Sequence, residues 1–345
     1  MNMLSSLTIA QAHEKLLSKE ISSVELTQAC IDRIEHVDES LNAVVYKNFD
    51  TALQQAKNVD EKGDFSLPLA GIPYLAKDVY CEEGVQTTAC SNILRDKNYV
   101  SPYSSTTTLR LESAGAISIG KTNTDEFTMG SSTETSCYGT TRNPWNTEHT
   151  AGGSSGGAAA SVAADECIFA LGTDTGGSIR QPAAFCGCTG LRPTYGRTSR
   201  YGVMSMASSL DTIGPLAKTS EDMALVLQAI AGKDTKDGTT SNHPVPDYAS
   251  ELTGDIKGTK IGLPDEYFID GLQPEVEQSV HDAVQVLESL GATVERVSLP
   301  HTKYAIAVYY IICPSEVSSN MARFDGIRFG HTEEADDLID YYHKV

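Results

Sequence analysis

Between residues 66 and 220, short apolar runs punctuated by glycine alternate with helix-like segments. The runs are IPYLA at 72–76, AISIG at 116–120 and CIFALG at 167–172. Each is too short for a helix of its own and is bounded by turn residues, so each reads as a strand. A strand that is apolar along its whole length must be covered on both faces. The pattern predicts an α/β fold with a largely parallel, doubly covered sheet.

The flanks read differently. Residues 1–65 read as helices, opened by capping boxes at Thr8-x-x-Gln11 and Ser22-x-x-Glu25. In the second, Leu26, Cys30, Ile34 and Val37 recur at helical spacing. KDTKDGTTSNHPVPDY at 233–248 is a polar connector. Beyond it, KIGLP reads as a strand, Pro274 opens a helix that Gly291 stops, and TVERVSL closes a β-α-β unit. The last residues, DLIDYYHKV, fall inside a helical pattern with no stop signal. The expectation is a fragment of a longer chain, with a frayed terminal helix as the bland alternative.

Composition excludes several classes. With 345 residues, 40% of them hydrophobic, the chain is neither disordered nor a small disulfide scaffold. A net charge of -20 repels phosphate backbones, so nucleic acid would have to be held by another protein. The eight cysteines form no CxxC, and the close pair Cys186 and Cys188 has no matching pair for zinc. They read as reduced, mostly buried thiols of a cytosolic protein. The N-terminus does not read as a signal peptide, and AIAVYYII at 305–312 is too short to span a bilayer.

The chemistry concentrates at 150–193, which holds GGSSGG at 152–157 and TGGSIR at 175–180. Each cluster sets a serine beside glycines, where bare N–H groups can turn toward a ligand. Simpler motifs fit poorly. The match of 152–156 to GxSxG follows a polar, turn-like segment rather than a strand. Gly156-Gly157-Ala158 lacks the lysine of a phosphate loop, and Ser118-x-x-Lys121 matches SxxK by spacing alone. A flexible Gly/Ser linker would not sit between such apolar segments. A serine needs a base to attack an amide. His149 is the nearest histidine, in a polar loop. Lys77 closes the apolar run GIPYLAKD, where desolvation favours the neutral amine; a strand-end lysine that merely snorkels is the bland alternative.

GIPYLAKD, the GGSSGG cluster and GTDTGGSIRQPAAFCGCTGLRPT together resemble the amidase signature family. Supporting segments lie at 120–146, 195–224 and 314–330, so the resemblance covers essentially the whole chain. Within the family it is most similar to the glutaminase subunits of tRNA-dependent amidotransferases. The resemblance implies an amidase signature fold, a mixed central β-sheet covered by helices on both faces. It implies a helical segment at 1–65 and an amidase signature domain at 66–345, incomplete at its C-terminus.

It also implies a Ser-cis-Ser-Lys triad, with Ser178 as nucleophile, Ser154 as bridging serine and Lys77 as base. The oxyanion hole falls on the N–H groups of Thr175, Gly176, Gly177 and Ser178. Ser155, Asp174 and Arg180 support the loop, and Tyr309 and Tyr310 align with tyrosines near the substrate pocket. No cofactor is expected on this chain; ATP and Mg would be used by a partner subunit. The implied partners are the B and C subunits of a heterotrimer, with glutamine as substrate and tRNA held mainly by a partner. A stand-alone amidase for another small amide, and a truncated non-catalytic subunit, stay open at this point.

Overall fold

A computed structural model of the chain describes residues 3–95, 99–330 and 332–345. The chain starts with helices α1 (Ile9–Leu17) and α2 (Ser23–Leu41), strand β1 (Val44–Lys47) and α3 (Phe49–Lys62). Next come β2 (Pro73–Lys77), α4 (Asn92–Arg95), α5 (Thr106–Ser113) and β3 (Ile117–Thr122). A hairpin of β4 (Arg142–Asn143) and β5 (Asn146–Thr150) leads into α6 (Gly156–Ala163), β6 (Phe169–Asp174), α7 (Arg180–Cys186) and β7 (Thr189–Gly190). Then follow β8 (Thr212–Ala217), α8 (Ser220–Ile230), β9 (Lys260–Pro264), α9 (Pro274–Ser289), β10 (Thr293–Val297), α10 (Ala305–Met321) and α11 (Leu338–Lys344).

Both capping boxes form as the sequence predicts. Thr8 and Gln11 exchange their two bonds at the start of α1, and Ser22 and Glu25 do so at α2. Leu26, Cys30 and Ile34 of α2 are fully buried, with Val37 packed at their margin.

Among the described residues six strands form the central sheet in the order β1-β3-β2-β6-β8-β7. β2 runs parallel to β3 and to β6, whereas β1 with β3, β6 with β8, and β7 with β8 are antiparallel. The sheet is therefore mixed rather than largely parallel. Every residue of β2, β6 and β8 is buried. Successive side chains point to opposite faces, so burial of all of them means cover on both faces.

The antiparallel strands carry weak sequence signals. β1 is a four-residue edge strand inside the segment expected to be helical. β8 contains Gly214 and Pro215, residues that ordinarily argue against an inner strand.

The chain divides into two compact units, Met1–Ala249 with Glu316–Val345, and Ser250–Ser315. The division expected at residue 65 does not coincide with this one. The N-terminal helices share the main core: Leu26 and Ile34 belong to the same buried cluster as Leu75 and Phe169. In the second unit β9 and β10 pair in parallel, Thr293 opposite Lys260, with α9 between them in sequence. That is the β-α-β unit expected there.

The connector at 233–248 is tied to its own unit. Asp237 pairs with Arg200 at 3.0 Å, and Arg197 donates to the carbonyls of His243 and Pro244 at 3.1 and 2.8 Å. Six of the eight cysteines are buried, and Cys137 and Cys188 are half-buried. Among the described residues no helix is long and apolar enough to cross a membrane.

Candidate active site

The connection from β2 leads to β3 on one side, and the chain then returns to β6 on the other. Such a switch opens a crevice at the carboxyl ends of the parallel strands. Lys77 is the last residue of β2, and Thr173 and Asp174 are the last two of β6. The loop before α6 and the loop from β6 to α7 bring both Gly-Ser clusters to the same end.

Lys77 is fully buried. Its Nζ lies 2.7 Å from Ser154 Oγ, 3.1 Å from Ser155 Oγ and 2.9 Å from Thr173 Oγ1. Burial lowers its pKa to about 7, against the opposing pull of Asp125, Asp174, Cys90 and Asp211. A lysine in this setting is substantially neutral near pH 7 and has a lone pair for a proton. The Gly153–Ser154 peptide bond is cis.

Ser155 is also buried and knits the two loops together. Its N–H donates to the Ser178 carbonyl at 3.1 Å and its hydroxyl to the Thr173 carbonyl at 3.2 Å. Ser178 is half-buried, and among the described residues its hydroxyl makes no hydrogen bond. The structure thus gathers Lys77, Ser154, Ser155 and Thr173 and sets the Ser178 backbone against them, with the Ser178 hydroxyl free.

Asp174 organises the loop around Ser178. Burial raises its pKa, but the bond and charge of Arg180 and nearby N–H groups outweigh this and hold it below the usual carboxylate value. Arg180 meets it through Nε at 3.0 Å and Nη2 at 3.1 Å, and Arg192 Nε lies 3.3 Å away. Gly177 N–H, expected in the oxyanion hole, donates instead to Asp174 Oδ1 at 2.9 Å. The carboxylate competes for that donor and fixes the turn, in which Gly177 has φ +135°. The N–H groups of Thr175, Gly176 and Ser178 meet no acceptor among the described residues.

The remaining expectations divide. His149 sits on the exposed β5 arm, outside the bonded cluster. The segment that reads as turn-like before Ser154 forms the β4–β5 hairpin, whose β5 arm is wholly exposed. In the SxxK match, Lys121 Nζ bonds the Tyr80 carbonyl and Thr87 Oγ1, while Ser118 bonds Glu82, so the two are not a reactive pair. Tyr309 and Tyr310 lie on α10 in the second unit, in edge contact with each other.

Thr173 is a lysine partner that sequence reading misses, as a lone threonine in an apolar strand carries no signal. Asp211 is another missed residue of the site, accepting from Thr175 Oγ1 at 2.7 Å. A cavity of about 280 Å³ adjoins the cluster, lined by Thr128, Thr173, Arg200, Met206, Asp211 and Arg323 among others. Among the described residues no three His, Cys, Asp or Glu side chains gather to hold a metal ion.

The sequence pattern of the amidase family matches residues 25–345. The chain belongs to that family. It is 54% identical to the A subunit of glutamyl-tRNA(Gln) amidotransferase from Desulfatibacillum aliphaticivorans, over 99% of this chain and 71% of that protein. The protein of the same name from Carboxydothermus hydrogenoformans is 54% identical over 98% and 70%. Among solved structures, the A subunit of the Thermotoga maritima glutamyl-tRNA(Gln) amidotransferase superposes with a TM-score of 0.81 at 40% identity. That match covers 93% of this chain and 68% of the other. The peptide amidase of Stenotrophomonas maltophilia gives 0.83 at 35% identity, over 93% and 68%. The mixed, doubly covered sheet is thus the amidase fold, and the family places the chain among amide-cleaving enzymes.

Proposed function

We propose that the chain is the glutaminase subunit of a tRNA-dependent amidotransferase, cleaving the side-chain amide of glutamine to supply ammonia. The observation that carries the reaction is the buried Lys77 amine bonded to Ser154 on the cis peptide. The similarity to the A subunits of amidotransferases supports glutamine over other small amides.

In this reading substrate turns the Ser178 hydroxyl onto Ser154. Ser178 Oγ forms a bond to the amide carbon, its proton passes to Ser154, and the Ser154 proton passes to Lys77. The N–H groups of Thr175, Gly176 and Ser178 receive the oxyanion. Collapse returns a proton to the leaving nitrogen and frees ammonia. Water, activated by the same relay, then cleaves the acyl-ester to glutamate.

The reading extends to an assembly. B and C subunits would complete a heterotrimer in the cytoplasm. The B subunit would use ATP and Mg to activate glutamyl-tRNA and would hold the tRNA, which suits a chain of net charge -20. The test is ammonia release from glutamine, alone and with partner subunits, ATP and glutamyl-tRNA. The proposal expects release that Ser178→Ala abolishes and that partners couple to tRNA amidation. Cleavage of other amides with no response to partners would favour a stand-alone amidase.

A further inference from the structure

Four groups act on Lys77 with actual or potential negative charge: Asp125, Asp174, Cys90 and Asp211. Three are already committed. Asp174 is paired with two arginines and accepts from the Gly177 and Ile179 N–H groups. Asp211 accepts from Thr175 and Ser205 hydroxyls and from the Met206 and Ala207 N–H groups. Cys90 is a buried thiol that burial keeps protonated.

Asp125 differs. It is fully buried, yet only Oδ1 has a partner, Thr135 Oγ1 at 3.1 Å; Oδ2 meets no donor among the described residues. The carboxylate stands against the peptide that carries Ser154. A Cβ on Gly153 would come within 2.3 Å of Oδ2, and one on Gly130 within 2.1 Å of Oδ1. Glycine at both positions leaves the room the carboxylate needs. A buried carboxylate oxygen without a donor costs free energy unless its charge acts on something. Here Lys77 supplies the opposite charge, once protonated.

We propose that Asp125 is a positioning residue for proton transfer, its bare Oδ2 stabilising the Lys77 ammonium that forms as Ser178 attacks. The inference rests on Lys77 being the base. The Ser178 proton still travels through Ser154 to Lys77, and the charge it creates there is what Asp125 balances.

The test is the pH profile of kcat/KM for ammonia release by the full chain carrying Asp125→Asn. Removing the negative charge lowers the Lys77 pKa, and the base works unprotonated. The acid limb should therefore move to lower pH by about one unit, the low end of what an opposite charge produces. The plateau should fall about tenfold, as expected of a weaker base. Asp125→Ser, smaller and also uncharged, should move the limb in the same direction. A limb that stays in place while the rate falls would overturn the proposal. So would loss of cooperative unfolding in both variants, which would make Asp125 part of the scaffold. Lys77→Ala run alongside separates the two ideas. Activity surviving that change defeats the base itself, whereas an inactive Lys77→Ala with an unmoved Asp125→Asn limb defeats only Asp125.

Discussion

Lys77 Nζ lies 2.7 Å from Ser154 Oγ, and neither side chain reaches solvent. A lysine buried this deeply is costly as an ammonium, and burial brings its pKa down to about 7. The sign of the pH dependence follows. Activity should rise through about pH 7 as Lys77 loses its proton. Lys77→Ala should cost ~10²-fold or more in kcat and remove that limb. Steady-state profiles taken from mildly acid to mildly alkaline pH check both.

The two neighbouring serines should separate cleanly. Ser154→Ala breaks the relay and is expected to cost ~10²-fold or more in rate. Ser155→Ala removes contacts with Lys77 and Thr173 but no relay atom. It should cost about 1–3 kcal/mol of stability, as for a lost buried partner, and little of the rate. Chemical denaturation and initial rates on both variants distinguish the roles.

Asp174→Ala should loosen the nucleophile loop. The carboxylate holds Gly177, Ile179, Arg180 and Arg192 together, and its loss is expected to cost about 2–4 kcal/mol. Because its folded pKa is depressed, this contribution is complete above the usual carboxylate value. It is lost as pH falls through the lower folded value. Melting curves of the parent and variant should therefore converge in acid.

The parallel half of the sheet is legible in sequence because β2, β3 and β6 each overlap a short apolar run. β1 and β8 are not, the first because it is a short edge, the second because Pro215 disguises it. Ser154 and Ser178 stand out in sequence because glycines flank them, and Lys77 because it closes an apolar run. Thr173 and Asp211 escape notice because each enters the site only through a long-range contact that spacing cannot reveal. Gly177 is a different case: its N–H is taken by Asp174, only three residues back, a local turn contact that the reading of the glycines as open donors passes over.

Glu166 makes a further prediction away from the site. Burial, then the charge of Asp38, pushes its pKa up to about 8, against the opposing pull of Ser161, Arg33 and Lys47. It is a neutral acid in mildly acid solution. A folded pKa above the unfolded one contributes stability that is full below about 4.5 and is lost as pH rises through about 8. Glu166→Gln should flatten that fall and raise the Tm above about pH 8 relative to the parent. A parallel decline in both proteins would contradict it.

The central claim is that Ser178 is the nucleophile of a Lys77-driven amidase. The direct measurement is mass spectrometry of the protein after reaction with an amide-directed covalent analogue of glutamine. The account predicts a single adduct on Ser178, absent in Ser178→Ala and slowed at least ~10²-fold in Lys77→Ala. An adduct on Ser154 or Ser155, or labelling that survives Ser178→Ala, would contradict it.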